Sequence, residues 1–158
     1  MAMDRGPWNA LVDDDGSNLV GSIWNKAAIK SVILDPADAA FAAVTGTWTP
    51  VDGSGAGLVF TLPGPARYWR LGPVVLIQAH VVYPATAHGA SATIAGLPFG
   101  NIGTTYGGLY CGNGTTRTFL LPPSSSALGI YDGASGLPTT NAAVSGASLV
   151  IAGVYFTT

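Results

Sequence analysis

Glutamate is absent from this chain, cysteine occurs once, and only 9% of the 158 residues are charged, against about a quarter in an ordinary soluble domain. The single cysteine, Cys111, excludes an intrachain disulfide and a zinc site built on cysteines. Mean hydropathy is high at +0.40, yet no apolar run approaches the roughly 18 residues that a spanning helix needs. The richest run, "VVLIQAHVVY", is broken by Gln78 and His80 and reads as a strand, so membrane insertion is not expected. Basic clusters are missing too. Arg67, Arg70 and Arg117 stand apart in a chain of net charge −2, which argues against a nucleic-acid partner. "MAMDRGPWNA" has neither a basic n-region nor an apolar h-region, so synthesis and assembly in a cytoplasm are expected.

Catalytic groups are equally scarce. A glycosidase needs two carboxylates about 5 to 9 Å apart, and beyond residue 46 only Asp52 and Asp132 are available, both within turn signals. No Gly-x-Ser-x-Gly elbow follows a strand and opens a helix. His80 lies in an apolar strand and His88 in a "TAHGA" turn, without a carboxylate cluster beside either, and both read as structural. "DDDGSN" evokes a calcium loop, but counting from Asp13 puts Asn18 at the sixth place and Trp24 at the twelfth, where an EF-hand needs Gly and Glu. The expectation is therefore a protein that is not an enzyme, with no catalytic residue, no metal and no cofactor. A chain so poor in charge tends to associate, and an obligate oligomer is expected.

Three segments differ in pattern. Residues 1–21 hold Pro, Gly and an Asp cluster without sustained periodicity and read as an extended arm that docks through Trp8, Leu11 and Val12. Residues 22–46 are the helical part. Ser22 can cap a helix whose apolar stripe includes Ile23, Trp24, Ala27 and Ile33, and Asp35-Pro36 punctuates it before a second short helix over "DPADAAFAAV". Helices this short do not persist alone. Copies of the same segment are the economical partner, which makes those four residues candidates for self-association.

From Thr47 the period changes to 2. Strands are predicted over 47–51, 58–62, 66–71, 74–83, 91–95, 104–111, 117–121, 127–131 and 147–156, separated by turn signals such as "DGSGAG", "PGP", "GNG" and "DGASG". Residues 47–158 thus form a head that is mainly β, an antiparallel β-sandwich with jelly-roll connections. Within it "TTYGGLYCGNGTTR" sets Tyr106 and Tyr110 beside glycines, Asn113 and Arg117. Aromatic rings beside such polar groups can form a sugar platform. Trp69 is a further candidate contact. The alternative for all these rings is packing within the sheet or between subunits.

"GTWTP", then "ARYWRLGPVVLIQAHVVY", "ATIAGLPFG" and the closing "LVIAGVYFTT" together resemble the small jelly-roll domain of bacteriophage tail-fibre and related virion proteins. The matching residues are Trp48-Thr49-Pro50, Tyr68 with Arg70 and Gly72, Ile94 with Gly96-Leu97-Pro98-Phe99, and Gly153 with Tyr155. "DDDGSNLVGSIWNKAAIKSVILDPADA" is similar to the stem that precedes such domains. Pro73 departs from the polar or basic residue often found after that glycine. The resemblance implies a virion component, a homotrimer whose arm docks on capsid or tail proteins and whose head serves host attachment, with a host surface glycan as a partner. A capsid-decorating protein is the alternative, and a cellular carbohydrate-binding module a third reading. It also implies a hinge at Gly46, Trp48 and Pro50, with Gly46 ending the helix, Trp48 covering the bottom of the sandwich and Pro50 limiting pairing at an edge.

Overall fold

The computed structural model describes Asp35, residues 42–111 and residues 116–158. The chain divides into two compact units, Met1–Ala43 and Val44–Thr158. Of the expected site residues, Trp8, Leu11, Val12, Ile23, Trp24, Ala27 and Ile33 lie outside the described residues, as does the arm to which the first three belong. No helix among the described residues is long and apolar enough to cross a membrane.

The second unit is mainly β. Its strands are β1 (Ala43–Trp48), β2 (Val51–Asp52), β3 (Ala66–Leu71), β4 (Val74–Val82), β5 (Thr93–Ala95), β6 (Gly107–Cys111), β7 (Arg117–Leu121), β8 (Leu128–Asp132) and β9 (Ser148–Phe156). They make one antiparallel sheet of nine strands in the order β1-β3-β4-β9-β6-β7-β8-β5-β2. Side chains on a strand alternate between faces, and the two longest strands obey this closely. Val75, Ile77, Ala79 and Val81 of β4 point inward and are buried, as are Leu149, Ile151 and Tyr155 of β9. Phe119, Leu121, Leu128, Ile130 and Ile94 complete the same face from the other half of the sheet.

How the sheet encloses that face follows from its edges. β1 and β2 terminate the strand order at opposite ends, yet only Thr49 and Pro50 separate them in sequence. The three Cα steps from Trp48 to Val51 span at most about 11 Å, so the sheet has to curl until its two edges meet. Pro50 is buried and has no N–H to give to a ladder. Pairing therefore stops there, and the chain leaves the β3 side to join β5, where Val51 faces Ala95 and Asp52 faces Ile94. Trp48 anchors the corner. It is 6% exposed, and its indole Nε1 donates to the Arg67 carbonyl at 3.2 Å. Gly96 completes the corner at φ +90°, where a Cβ would run into the Thr49 carbonyl oxygen.

Three sequence expectations need correction. Ala43 to Gly46 are strand, not the end of a helix. Val44, Thr45 and Thr47 are β-branched, and β3 offers a pairing partner, so tertiary pairing overrides the alanine-rich local preference. Gly46 accordingly does not end a helix. It lies under the Tyr68 ring, where a Cβ would come within 2.7 Å of Cε1 and Oη. The predicted strand 58–62 is reduced to one bridge, Thr61 to Val82, with Leu58, Phe60 and Leu62 laid on the core as a cover. The strands predicted from 91 and 104 begin instead at Thr93 and Gly107.

The corner is testable by substitution. Trp48→Ala is expected to destabilise the full chain by about 3–5 kcal/mol in chemical denaturation, whereas Trp48→Phe loses chiefly one hydrogen bond, about 1 kcal/mol. Gly96→Ala should exceed Gly55→Ala clearly. Gly55 sits at φ +77° in open space, so only the left-handed backbone term of about 1–2 kcal/mol applies there.

Candidate functional site

The outer face of β3, β4, β9 and β6 carries an unusual set of side chains for a surface. Strand register aligns them in rows. Leu71 faces Val74, which faces Phe156. Trp69 faces Leu76, which faces Val154. Arg67 faces Gln78, which faces Ala152, which faces Tyr110. His80 faces Val150. Apart from Arg67 and His80 these rows carry no group that can bear a charge. Phe156 is 52% exposed and Tyr110 68%, with Leu71, Leu76 and Val154 also exposed. Large contiguous apolar patches of this kind mark interaction surfaces.

One end of the face is apolar, at Leu71 and Phe156, and the other is polar. At the polar end a cleft of about 230 Å³ lies between the Gly64–Pro65 turn and Arg67, Gln78, His80 and Val150. The His80 Nε2 and Ser148 Oγ are 2.7 Å apart. Sequence reasoning read His80 as structural and assigned nothing to Arg67 or Gln78. A signal was present: the only polar residues of "VVLIQAHVVY" fall at positions of equal parity, which places Gln78 and His80 together on the face that does not enter the core.

A separate cluster joins Tyr68, Arg70, Gly72, Phe99 and Tyr155 near the β3–β4 turn. Tyr68 meets Phe99 edge to face at 5.3 Å, and the Arg70 guanidinium lies 4.7 Å over the same ring, a cation–π contact. Arg70 Nε donates to the Gly72 carbonyl at 2.8 Å, and its Nη2 donates to the Thr158 carbonyl at 3.0 Å. Tyr155 Oη donates to the Phe99 carbonyl at 3.0 Å. Burial pushes the Tyr155 phenol up to about 12, so it stays a neutral donor across the physiological range. Asn101, which sequence reasoning missed, is 6% exposed and donates from Nδ2 to the carbonyls of Thr105, Leu121 and Pro122. This network ties the 99–105 loop to the sheet.

A second network sits at the β2 edge. The Asp52 carboxylate accepts from Ser54 N at 2.9 Å, Ser54 Oγ at 2.6 Å and Leu58 N at 3.1 Å. Ser54 Oγ also accepts from Asn141 Nδ2 at 2.8 Å, and Tyr83 Oη approaches Asn141 Oδ1 at 3.4 Å. Burial raises the Asp52 pKa, but the Ser54 and backbone donors outweigh it and hold the carboxyl below its ordinary value. Burial, with the Asp52 charge adding to it, pushes the Tyr83 phenol well above its ordinary value.

Of the expected contact residues, Trp69 and Tyr110 share the outer face, and Tyr106 is exposed just before β6. Arg117 does not join them. It has the parity of the buried Phe119 and Leu121, and its Nη2 donates to the Ala143 carbonyl at 2.8 Å. Gly46, Trp48 and Pro50 belong to the sheet corner. Among the described residues no three His, Cys, Asp or Glu side chains gather as metal ligands. No protein-family model, curated protein or solved structure matches the chain.

The Asp52 network has a pH signature. Because its folded pKa is depressed, Asp52 contributes stability that is present above the unfolded value of about 3.9 and is lost as pH falls through the lower folded value. Asp52→Asn should therefore melt below wild type at pH 7, and the gap should narrow below about pH 4. Melting curves of both proteins from pH 7 to pH 2 check this.

Proposed function

We propose that this chain is a non-enzymatic structural component of a bacteriophage particle. The curled sheet is its jelly-roll head, and residues 1–42 supply the virion-docking arm and the self-associating segment. The head acts in host attachment, as a trimeric spike of the tail-fibre or head-fibre type. The observation that carries this reading is the convergence of the resemblance. Tyr68, Arg70, Gly72, Phe99 and Tyr155, scattered over 88 positions, close into one contiguous cluster. Residues that hold a fold together in this way are the ones a shared architecture requires.

The outer face supports self-association. Leu71, Leu76, Val154 and Phe156 leave on the order of 350 Å² of apolar side chain in water. That is a large share of the roughly 800 Å² per partner in a standard interface. Around a threefold axis a neighbouring copy can cover these rows while Arg67, at the polar end, stays outside the contact.

Two measurements test the reading. Sedimentation equilibrium of the full chain should give three times 15.9 kDa, and Leu76→Lys should weaken association; a stable monomer at micromolar concentration contradicts it. Quantitative mass spectrometry of purified particles should find the chain at a few trimers per particle. Hundreds of copies would favour the capsid-decorating alternative, and absence from the particle would refute both.

A further inference from the structure

The cleft at the polar end of the outer face holds a cation that nothing in the described chain engages. Three arginines lie among the described residues. Arg70 is held by the Gly72 and Thr158 carbonyls and the Phe99 ring, and Arg117 by the Ala143 carbonyl. Arg67 is exposed, and its contact with Trp48 uses the backbone carbonyl, leaving the guanidinium for the cleft. Neither of the two Asp side chains described in the second unit answers it. Asp52 is taken up by Ser54 and Leu58 at the β2 edge, and Asp132 accepts from Ala134 and Ser135 within its own turn.

Around this cation stand neutral groups suited to hydroxyls. Gln78 lies directly across from Arg67 and offers two donors and an acceptor oxygen. His80 borders the same cleft, its Nε2 lying 2.7 Å from the Ser148 Oγ. Two aromatic residues share the outer face with the cleft without lining it. Trp69 is the next residue on the outer face of β3, and Tyr110 ends the row that runs from Gln78 over the small Ala152.

From these observations we infer that the cleft binds a sugar ring bearing a carboxylate. A guanidinium fork matches a carboxylate in two parallel hydrogen bonds, and one arginine suffices for that. A phosphate site ordinarily adds a helix N-terminus or several cations; the cleft lining has no helix, and beside Arg67 only His80 can bear a positive charge. The two rings and the Gln78 amide are of no use to a simple organic acid, but they suit the apolar face and hydroxyl rim of a pyranose. The volume, about 230 Å³, falls below the roughly 300 Å³ at which drug-sized pockets begin, so the cleft takes one ring and not an extended chain. The inference stands apart from the virion reading, because absence of the chain from particles would leave the cleft as it is.

The test is an NMR titration of the full chain with methyl glucuronide, with methyl glucoside as its neutral match, following the indole Nε1–H signals. Glucuronide should shift the Trp69 signal, assigned by Trp69→Phe, and leave that of buried Trp48 in place. The glucoside should bind at least about tenfold more weakly, the factor expected for loss of one charge-assisted hydrogen bond. Arg67→Ala, checked by its melting curve, should abolish the discrimination between the two sugars, and Arg67→Lys should restore part of it. Equal affinity for both sugars, no shift with either, or discrimination retained in folded Arg67→Ala overturns the proposal. The first two outcomes need no variant at all.

Discussion

Everything in the second unit depends on a constraint of two residues. Thr49 and Pro50 are all that separates the strand at one end of the sheet from the strand at the other. A sheet of nine strands could lie open, with both edges exposed for pairing by another chain. This one cannot. Its edges are forced together, its inner face is enclosed, and the alternation along β4 and β9 becomes a distinction between a core and an outside. Proline suits the corner because the ladder must be interrupted there, glycine at 96 because the carbonyl of Thr49 occupies the space of a side chain, and tryptophan at 48 because the corner must be filled.

That enclosure explains where the polar chemistry is found. The hydrogen-bonded groups serve two joints. The Asp52–Ser54–Asn141 set anchors the loop after β2, and the Arg70–Phe99–Tyr155 set anchors the loop before β6. Side chains committed to such joints are unavailable for binding. What remains is the outside of the four central strands, where Leu71, Leu76, Val154 and Phe156 offer an apolar surface and Arg67, Gln78 and His80 a polar cleft. One face thus presents two kinds of surface at its two ends, suited to contact with a copy and to contact with a small polar ligand.

Much of this was legible in the sequence. Period-2 alternation located β3, β4, β7, β8 and β9 closely, since their buried residues fall at alternate positions between clear turn signals. The alanine-rich stretch before Gly46 misled because its strand character comes from β3, a partner that local preference cannot see. The stretch 58–62 misled for the converse reason. Leu58, Phe60 and Leu62 alternate as a strand would, but they cover the core with one bridge instead of a ladder. At the candidate site, Trp69 and Tyr110 were visible as aromatic candidates, whereas Arg67 and Gln78 acquire meaning only through register, 11 residues apart in sequence and directly opposed in the sheet. Arg117 was grouped with Tyr110 by sequence proximity, and the alternation of β7 turns it to the other face.

The joined edges can be observed directly in the full chain by nuclear Overhauser spectroscopy. Trp48 Nε1–H should show contacts to β3 around Arg67, and Val51 should show cross-strand contacts to Ala95, both within one monomeric species or one symmetric assembly. The two sets report opposite ends of the strand order three residues apart in sequence. Finding both is the result expected of a sheet closed at Thr49–Pro50. Contacts from Trp48 to β3 without any from Val51 to β5 would mean that the sheet is open and that its curl has another cause.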